Sequence, residues 1–205
     1  MIKMGQRSQI IVIHEGVHYN NDNPNDNNGK VYVSHNQWRY GANAIYILKH
    51  LIDKYNVMIK NKLYNDKSPY FFSCLNEIFD SCVSYAENYN INYDFSKSHD
   101  FKDSTEEFVK SKDLIDFCNN YTDNNNGWFF IKVMQDKTLQ IGILNGLEDD
   151  ETIKLRTPEE YIKLFNEPDQ EDLENCTFLN KFKVFDPIKE FKKEKDRMKQ
   201  DFKEV

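Results

Sequence analysis

Residues His14 to His18 read His-Glu-Gly-Val-His, which matches the His-Glu-x-x-His motif of zinc peptidases. In those enzymes the motif is helical, so that both histidines reach one zinc ion and the glutamate acts as general base. Here the string follows the β-branched run Ile10 to Ile13 and contains Gly16, which predicts a strand that ends in a loop. On a strand the two histidines stand roughly 13 Å apart, too far for one ion. Surface histidines on a hairpin are therefore predicted, and a zinc-dependent hydrolase is the least favoured function.

Other catalytic chemistry has little support in the sequence. The patterns G-x-x-x-x-G-K-[ST], G-x-G-x-x-G and G-x-S-x-G are absent, and the chain has only seven glycines from which to build phosphate-binding loops. A nuclease that uses His14, His18 or His35 as general acid and base is left open, because a hairpin brings side chains together across its strands. We expect a protein that is not an enzyme, with no metal and no cofactor.

The cysteines and the hydropathy pattern indicate the compartment. Cys74, Cys82, Cys118 and Cys176 form no Cys-x-x-Cys pair and no repeated spacing, which is typical of reduced structural thiols. No apolar run approaches the roughly 18 residues that cross a bilayer, and the first residues are not an apolar signal peptide. A cytoplasmic protein without membrane contact is predicted.

Charge is distributed unevenly along the 205 residues, whose net charge is −7. Residues 1–64 carry eight Lys and Arg against four Asp and Glu, together with four of the five histidines. Residues 147–176 carry eleven acids against three bases. The amino-terminal third can therefore meet phosphates, because association follows the local potential and not the net charge. Ordinary solvated surface is the alternative interpretation.

Strand and turn patterns predict an α+β fold. Residues 7–14 and 30–35 read as two strands of an antiparallel hairpin around an Asn/Asp-rich loop. Residues 128–134 and 138–144 read as a second hairpin after the turn Asn124 to Gly127. We expect both hairpins to pair in one antiparallel sheet that is packed with several α-helices.

Helical spacing is clearest after Gly41, where the apolar side chains that repeat are Ile45, Leu48, Ile52 and Tyr55. Further helices are predicted over residues 69–87 and from Ser104 or Thr105 onward. Another is predicted after Thr157, which is the expected N-cap with Pro158 at the first helical position. Residues 166–176 are predicted to be an acidic loop.

The carboxy-terminal segment, Pro187 to Val205, is predicted to be a charged amphipathic helix. Its apolar stripe consists of Ile188, Phe191, Met198 and Phe202. Such a stripe docks on its own domain, and a homodimer through this helix is the alternative. The predicted organisation is an α+β domain over residues 1–165, with residues 166–205 forming the acidic loop and a helix docked on that domain.

Two short stretches resemble a known family. Met4-Gly5-Gln6-Arg7-Ser8-Gln9 and Gln37-Trp38-Arg39-Tyr40-Gly41 are similar to the M-G-Q-R-S-Q opening and the Q-W-x-Y-G segment of small proteins from phages and prophages of low-GC Gram-positive bacteria. The turn Asn124 to Gly127 is similar to that family's D-N-N-D-G stretch. The resemblance covers about the first 55 residues and one turn. The long Asn/Asp-rich insertion and the acidic carboxy-terminal third depart from the family pattern.

The resemblance implies a phage-encoded anti-defence protein that acts in the host bacterial cytoplasm. It resembles the kind of prophage protein that blocks type III CRISPR-Cas effector complexes with the help of bound RNA. The residues expected to bind RNA combine cations, amide donors and stacking rings; they are Gln6, Arg7, Lys30, Trp38, Arg39, Tyr40, Lys49 and Lys54. In the predicted hairpin, Arg7 and Arg39 lie near opposite ends, so the RNA would run along it. Packing of Trp38 and Tyr40 against the sheet is the alternative.

A different function class fits the acidic segment. Residues 147–176 would suit a protein-binding module or a nucleic-acid mimic that acts on a basic host protein. The two functions differ in what should copurify with the protein, namely RNA in one case and a basic protein in the other.

Overall fold

In a computed structural model, the chain forms a β-sheet with helices on both faces. The residues that the structure describes are 7–14, 31–37, 41–61, 102–103, 108, 110–119, 127–145, 153–164 and 170–201. The strands are β1 (Arg7–His14), β2 (Val31–Gln37), β3 (Lys102–Asp103), β4 (Trp128–Val133), β5 (Leu139–Asn145), β6 (Lys154–Arg156) and β7 (Lys183–Val184). The helices with defined bounds are α1 (Gly41–Lys60), α2 (Leu114–Asn119), α3 (Pro158–Ile162), α4 (Gln170–Leu179) and α5 (Pro187–Asp201). The predicted α+β class is confirmed.

The sheet is mixed, and the predicted purely antiparallel sheet is wrong. Strand order is β3-β2-β1-β4-β5-β6, with β7 also paired to β5. Both predicted hairpin pairings are present, since β1–β2 and β4–β5 are antiparallel, but β1 and β4 join them in parallel. The physical reason lies in Ile10 to Ile13, which are all at most 5 % exposed. A strand buried on both faces carries an unbroken apolar run, as central strands do in sheets covered on both sides.

Two apolar layers lie on opposite faces of the sheet because strand side chains alternate. On the first face, Ile10 and Val12 of β1 and the odd-numbered residues of β4 and β5 pack against α1, α3 and α4. On the second face, Ile11 and Ile13 of β1 and even-numbered residues of β4 and β5 pack near α2 and α5. Residues 170–201 contribute to both layers, so they share the core of the rest of the chain.

Helix α1 follows the predicted spacing. Ile45, Leu48, Ile52 and Tyr55 are at most 3 % exposed, which confirms the apolar stripe. The Tyr55 hydroxyl donates to the Lys137 carbonyl at 3.0 Å and so fixes the second half of α1 over the turn between β4 and β5.

The region between β5 and α4 is partly as predicted. Thr157 caps α3 in a capping box, because its hydroxyl accepts from the Glu160 amide while the Glu160 carboxylate accepts from the Thr157 amide. The predicted acidic loop over residues 166–176 is wrong from Gln170 onward, where α4 begins. Acids in its first turn, Glu171 and Asp172, complement the helix dipole and account for the difference.

Helix α5 packs on the second face and differs from the predicted stripe at one end. Phe191 is 4 % exposed and its ring meets Phe108 edge-on at 4.6 Å. Ile188 is 44 % exposed, so its place in the buried stripe is wrong, while the side chains of Met198 and Phe202 lie outside the described residues. Lys132 of β4 reaches Glu190 at 2.6 Å and ties α5 to the sheet.

Two of the four cysteines belong to the described part of the chain. Cys118 and Cys176 are free and buried, as expected for structural thiols. Burial raises the pKa of both thiols, to about 11 for Cys176, so neither is a thiolate at neutral pH. Cys74 and Cys82 lie outside the described residues. Among the helices described above, none is long and apolar enough to span a bilayer.

Candidate nucleic-acid interface

The strand register places Arg7 beside the end of β2. Arg7 pairs with Gln37 across β1 and β2. Arg39 itself lies outside the described residues. Because Gln37 ends β2 beside Arg7, the chain leaves β2 towards Arg39 at the Arg7 end of the hairpin and not at the opposite end. A hairpin returns its second strand to the starting point of its first, so Arg7 and Gln37 meet at its open end.

Further segments reach this end of the sheet, which we call the motif end: the first residues of β1 and β4 and the last residues of β2 and β5. Gln9 pairs with Trp128 across β1 and β4. The backbone N–H of Gln9 donates to the Gly127 carbonyl at 3.2 Å. Trp128 in turn pairs with Leu144 near the end of β5. The family-like segments containing Ser8-Gln9, Gln37 and Gly127 are thus neighbours, although they are far apart in the sequence.

The amino terminus of α1 lies at the motif end as well. Tyr55 is fixed beside the β4–β5 turn, and Gly41 begins the helix about 21 Å earlier along the axis. Gly41 also follows Gln37, the last residue of β2, by only four residues, so their Cα atoms are at most about 15 Å apart. The first turn of α1 contains no acidic residue, so the positive end of the helix dipole is not neutralised there by an acid of its own first turn. This is an electrostatic setting that favours phosphate.

A ring stack and a lysine continue from the motif end along α1. The rings of Tyr46 and His50 are stacked, with centroids 6.1 Å apart and planes inclined by 17°. Lys54 is one turn further on and exposed. Burial lowers the pKa of His50, and the charges of Lys54 and Lys49 lower it further, while Asp53 acts in the opposite direction. His50 is therefore neutral at pH 7, and Lys54 carries the positive charge of this helix face.

Lys49 has a more structural position than Lys54. Its ammonium group forms an ion pair with Asp53 at 2.6 Å and lies 4.9 Å from the centroid of the Phe178 ring in α4. Lys181 lies over the same ring at 5.7 Å. The Phe178 ring therefore makes cation–π contacts with two lysines. Phe178 and Lys181 were not among the predicted binding residues, since the acidic composition around them hid this pair.

Only some of the predicted RNA-binding residues belong to the described part of the chain. Lys49 and Lys54 lie on α1, and Arg7 is described only as the first residue of β1. The remaining predicted residues, which lie outside the described part, are Gln6, Lys30, Trp38, Arg39 and Tyr40. His14 is the last residue of β1, and the rest of the His-Glu-Gly-Val-His string also lies outside. Within the described part, no cluster of three or more His, Cys, Asp or Glu is placed to hold a metal ion.

Acidic side chains of α3 and α4 lie close to Cys176. Glu159 accepts a hydrogen bond from the Asn180 side chain, and the charges of Glu159 and Asp172 add to burial in raising the pKa of Cys176. Glu159 of α3 and Asp172 of α4 therefore both lie near Cys176, and Leu173, the residue after Asp172, is 49 % exposed.

Comparisons with known proteins add no relative. No protein family, no curated protein and no solved structure matches this chain.

Proposed function

We propose that this is a non-catalytic, phage-encoded RNA-binding protein that inhibits a host type III CRISPR-Cas effector complex. The observation that carries the RNA-binding part is the pairing of Arg7 with Gln37. It brings Arg7 and Gln37 together at one end of the sheet, and α1 begins four residues after Gln37. The anti-defence part rests on the resemblance of the segments around Arg7 and Gln37 to phage and prophage proteins.

The proposed RNA path begins at the motif end and follows the exposed face of α1. Phosphates meet Arg7, Arg39 and the helix amino terminus, and bases stack on rings such as Trp38 and Tyr40. The path continues over the Tyr46–His50 stack to Lys54. Between Gly41 and Lys54 it extends about 20 Å, which suits a short single strand better than a duplex.

The first experiment is to purify the protein from a bacterial host and measure its absorbance at 260 and 280 nm. RNA that copurifies should be extracted and sized. We expect Arg7→Glu with Arg39→Glu to lose this RNA and Lys54→Glu to weaken it. Lys193→Glu, which changes the charge as much as Lys54→Glu does and lies at an exposed position of α5, is the matched control and should retain the RNA. Equal RNA in all variants would refute the proposed face.

Inhibition needs its own measurement. The purified protein should suppress the target-RNA-dependent activity of a reconstituted type III effector complex. Lys54→Glu should lose inhibition in proportion to its loss of RNA, whereas Lys193→Glu should inhibit like the unaltered protein. Full inhibition by an RNA-free variant would show that inhibition of the effector complex does not depend on RNA binding.

A protein-binding module is the second candidate, favoured by the acidic side chains of α3 and α4 near Cys176. Glu159, Asp172 and the exposed Leu173 would meet a basic protein, with charge guiding association and the leucine adding apolar contact. Such binding should weaken steeply as salt rises. Capture of a basic host protein by an RNA-free preparation, lost in Asp172→Lys, would favour this function over the first.

The predicted homodimer through α5 stays a prediction. Phe191 is used within the protein's own core, which leaves Ile188 as the exposed apolar residue among the described side chains of that helix. Light scattering of the protein and of Ile188→Glu tests it, because a dimer that depends on α5 should dissociate in the variant.

A further inference from the structure

Asn145 is a buried polar residue that the proposed RNA path does not use. Its side chain is 0 % exposed, and neither Nδ2 nor Oδ1 has a hydrogen-bond partner in the described part of the structure. Buried amides are almost always paired, because leaving both the donor and the acceptor unsatisfied is unfavourable. Because this amide has no partner among the described residues, both its donor and its acceptor are available to a ligand that reaches it.

The position of Asn145 places it at the motif end. It is the last residue of β5, and by alternation it lies on the same face as Ile141 and Ile143, the face that α1 covers. A Cβ built on Gly127 would stand 3.2 Å from Nδ2 of Asn145 and 3.4 Å from its Cβ. The Asn145 side chain therefore lies over Gly127, and it fills the space that a side chain at residue 127 would need.

We propose that the Asn145 amide reads the hydrogen-bonding edge of an unpaired base of RNA held at the motif end. A primary amide presents one donor and one acceptor in a plane, and a base edge such as that of adenine offers the complementary pair. A phosphate oxygen would satisfy only Nδ2, because it is an acceptor and leaves Oδ1 unpaired. Recognition of splayed bases by their edges is the usual route to sequence preference in single-stranded RNA. This inference rests on the proposed RNA binding.

The complete burial of Asn145 has a kinetic consequence. A base reaches this amide only by replacing the groups that cover it, whereas phosphates meet exposed cations without such a step. Binding should therefore show a fast, salt-dependent phase followed by a slower phase that does not depend on salt. The slower phase should be absent when the amide is absent.

The test compares short homopolymers of A, C and U by fluorescence anisotropy with the unaltered protein and with Asn145→Leu. Leucine is close to asparagine in shape and has no hydrogen-bonding group. We expect the protein to distinguish the best from the worst oligomer by about tenfold or more, and Asn145→Leu to reduce that ratio to about twofold. Affinity for the weakest oligomer should be unchanged. Asn180→Leu, at an exposed asparagine of the same chain, is the control and should keep the full ratio.

A second measurement does not depend on the variant folding. The ¹H–¹⁵N side-chain signal of Asn145 should shift downfield when the preferred oligomer is added and should not shift with inorganic phosphate. No shift, or an unchanged base preference in folded Asn145→Leu, would overturn the inference and leave buried water as the partner of the amide. Failure of the protein to bind any oligomer would instead overturn the proposed function, so the two failures are distinguishable.

Discussion

Gly142 of β5 lies directly against Pro187 at the start of α5. A Cβ on Gly142 would stand 2.7 Å from Cγ of Pro187 and 3.0 Å from the Phe185 carbonyl oxygen. On this edge of β5, β6 pairs with residues 143–145 and β7 pairs with residues 140–141, so both end at Gly142. From there α3 begins at Pro158 on one face and α5 begins at Pro187 on the other. Gly142 therefore lies between the two short strands that pair with β5 and that lead into helices on opposite faces of the sheet.

We expect Gly142→Ala to destabilise the fold by about 1–3 kcal/mol, because the added methyl group overpacks this contact. Urea unfolding measures the change. Adding Pro187→Ala should recover part of the loss, since it removes the Cγ atom but leaves the Phe185 carbonyl in place. A Gly142→Ala variant that unfolds like the unaltered protein would show that α5 shifts away without cost.

The ion pair between Lys132 and Glu190 should respond differently to the removal of each partner. The Lys132 side chain is 11 % exposed and that of Glu190 is 26 % exposed. We expect Glu190→Leu to cost about 3 kcal/mol, because a buried ammonium group is left without its partner. Lys132→Met should cost less, since water can reach the remaining carboxylate.

Urea unfolding of the double variant completes this experiment. Lys132→Met with Glu190→Leu should recover most of the loss, because apolar side chains replace both charges. Lys189→Met removes the exposed pair with Asp186 and should change stability by at most about 0.5 kcal/mol. If Glu190→Leu behaves like this surface control, the buried pair does not hold α5 to the sheet.

The contrast between predicted and observed sheets has a specific physical origin. The strand pattern of residues 7–14 and 128–134 located β1 and β4 almost to the residue. It did not show that they are parallel neighbours, because pairing is decided by contacts between distant segments. The unbroken apolar run Ile10 to Ile13 was the available sign of a strand covered on both faces. Helix α4 was missed because its buried residues, such as Asn175 and Cys176, are not strongly apolar.

His50 should make stability depend on pH. Its pKa is lowered in the folded protein, chiefly by burial, so below pH 6.5 the unfolded chain binds a proton more readily than the folded one. Stability should therefore fall as the pH drops below 6.5, and this loss is complete below the lowered pKa. His50→Gln should show a smaller difference in the free energy of unfolding between pH 7.5 and pH 5. The same pH dependence in both proteins would contradict the assigned burial.

The capping box of α3 offers a test of local structure. Thr157→Ala removes the hydroxyl that accepts from the Glu160 amide, and we expect it to cost about 1 kcal/mol. Thr157→Ser keeps the hydroxyl and should be close to neutral in the same thermal unfolding measurement. Equal losses in both variants would mean that the methyl group of Thr157, and not the cap, stabilises this turn.

The candidate site shows where sequence reasoning reaches its limit. Lys49 and Lys54 were predicted from composition and helical position, and both lie on α1. Composition could not show that Asp53 pairs with Lys49, nor that Phe178 of α4 lies against it. Asn145 had no signal at all, because an asparagine at the end of a strand is ordinary in sequence and becomes unusual only when its partners are known.

Lys54 and Lys49 should therefore contribute unequally to RNA binding. Lys54 is exposed and has no ion pair with any residue that the structure describes, whereas the charge of Lys49 is compensated by Asp53 at 2.6 Å. We expect Lys54→Gln to lower the slope of log K against log salt by about 0.7, the value for one phosphate contact on a single strand. Lys49→Gln should change the slope less, and Asp53→Asn should raise the affinity by freeing Lys49. Filter binding over a salt series measures all three, with Lys193→Gln as the control. Equal slopes for Lys54→Gln and Lys193→Gln would place the RNA elsewhere on the protein.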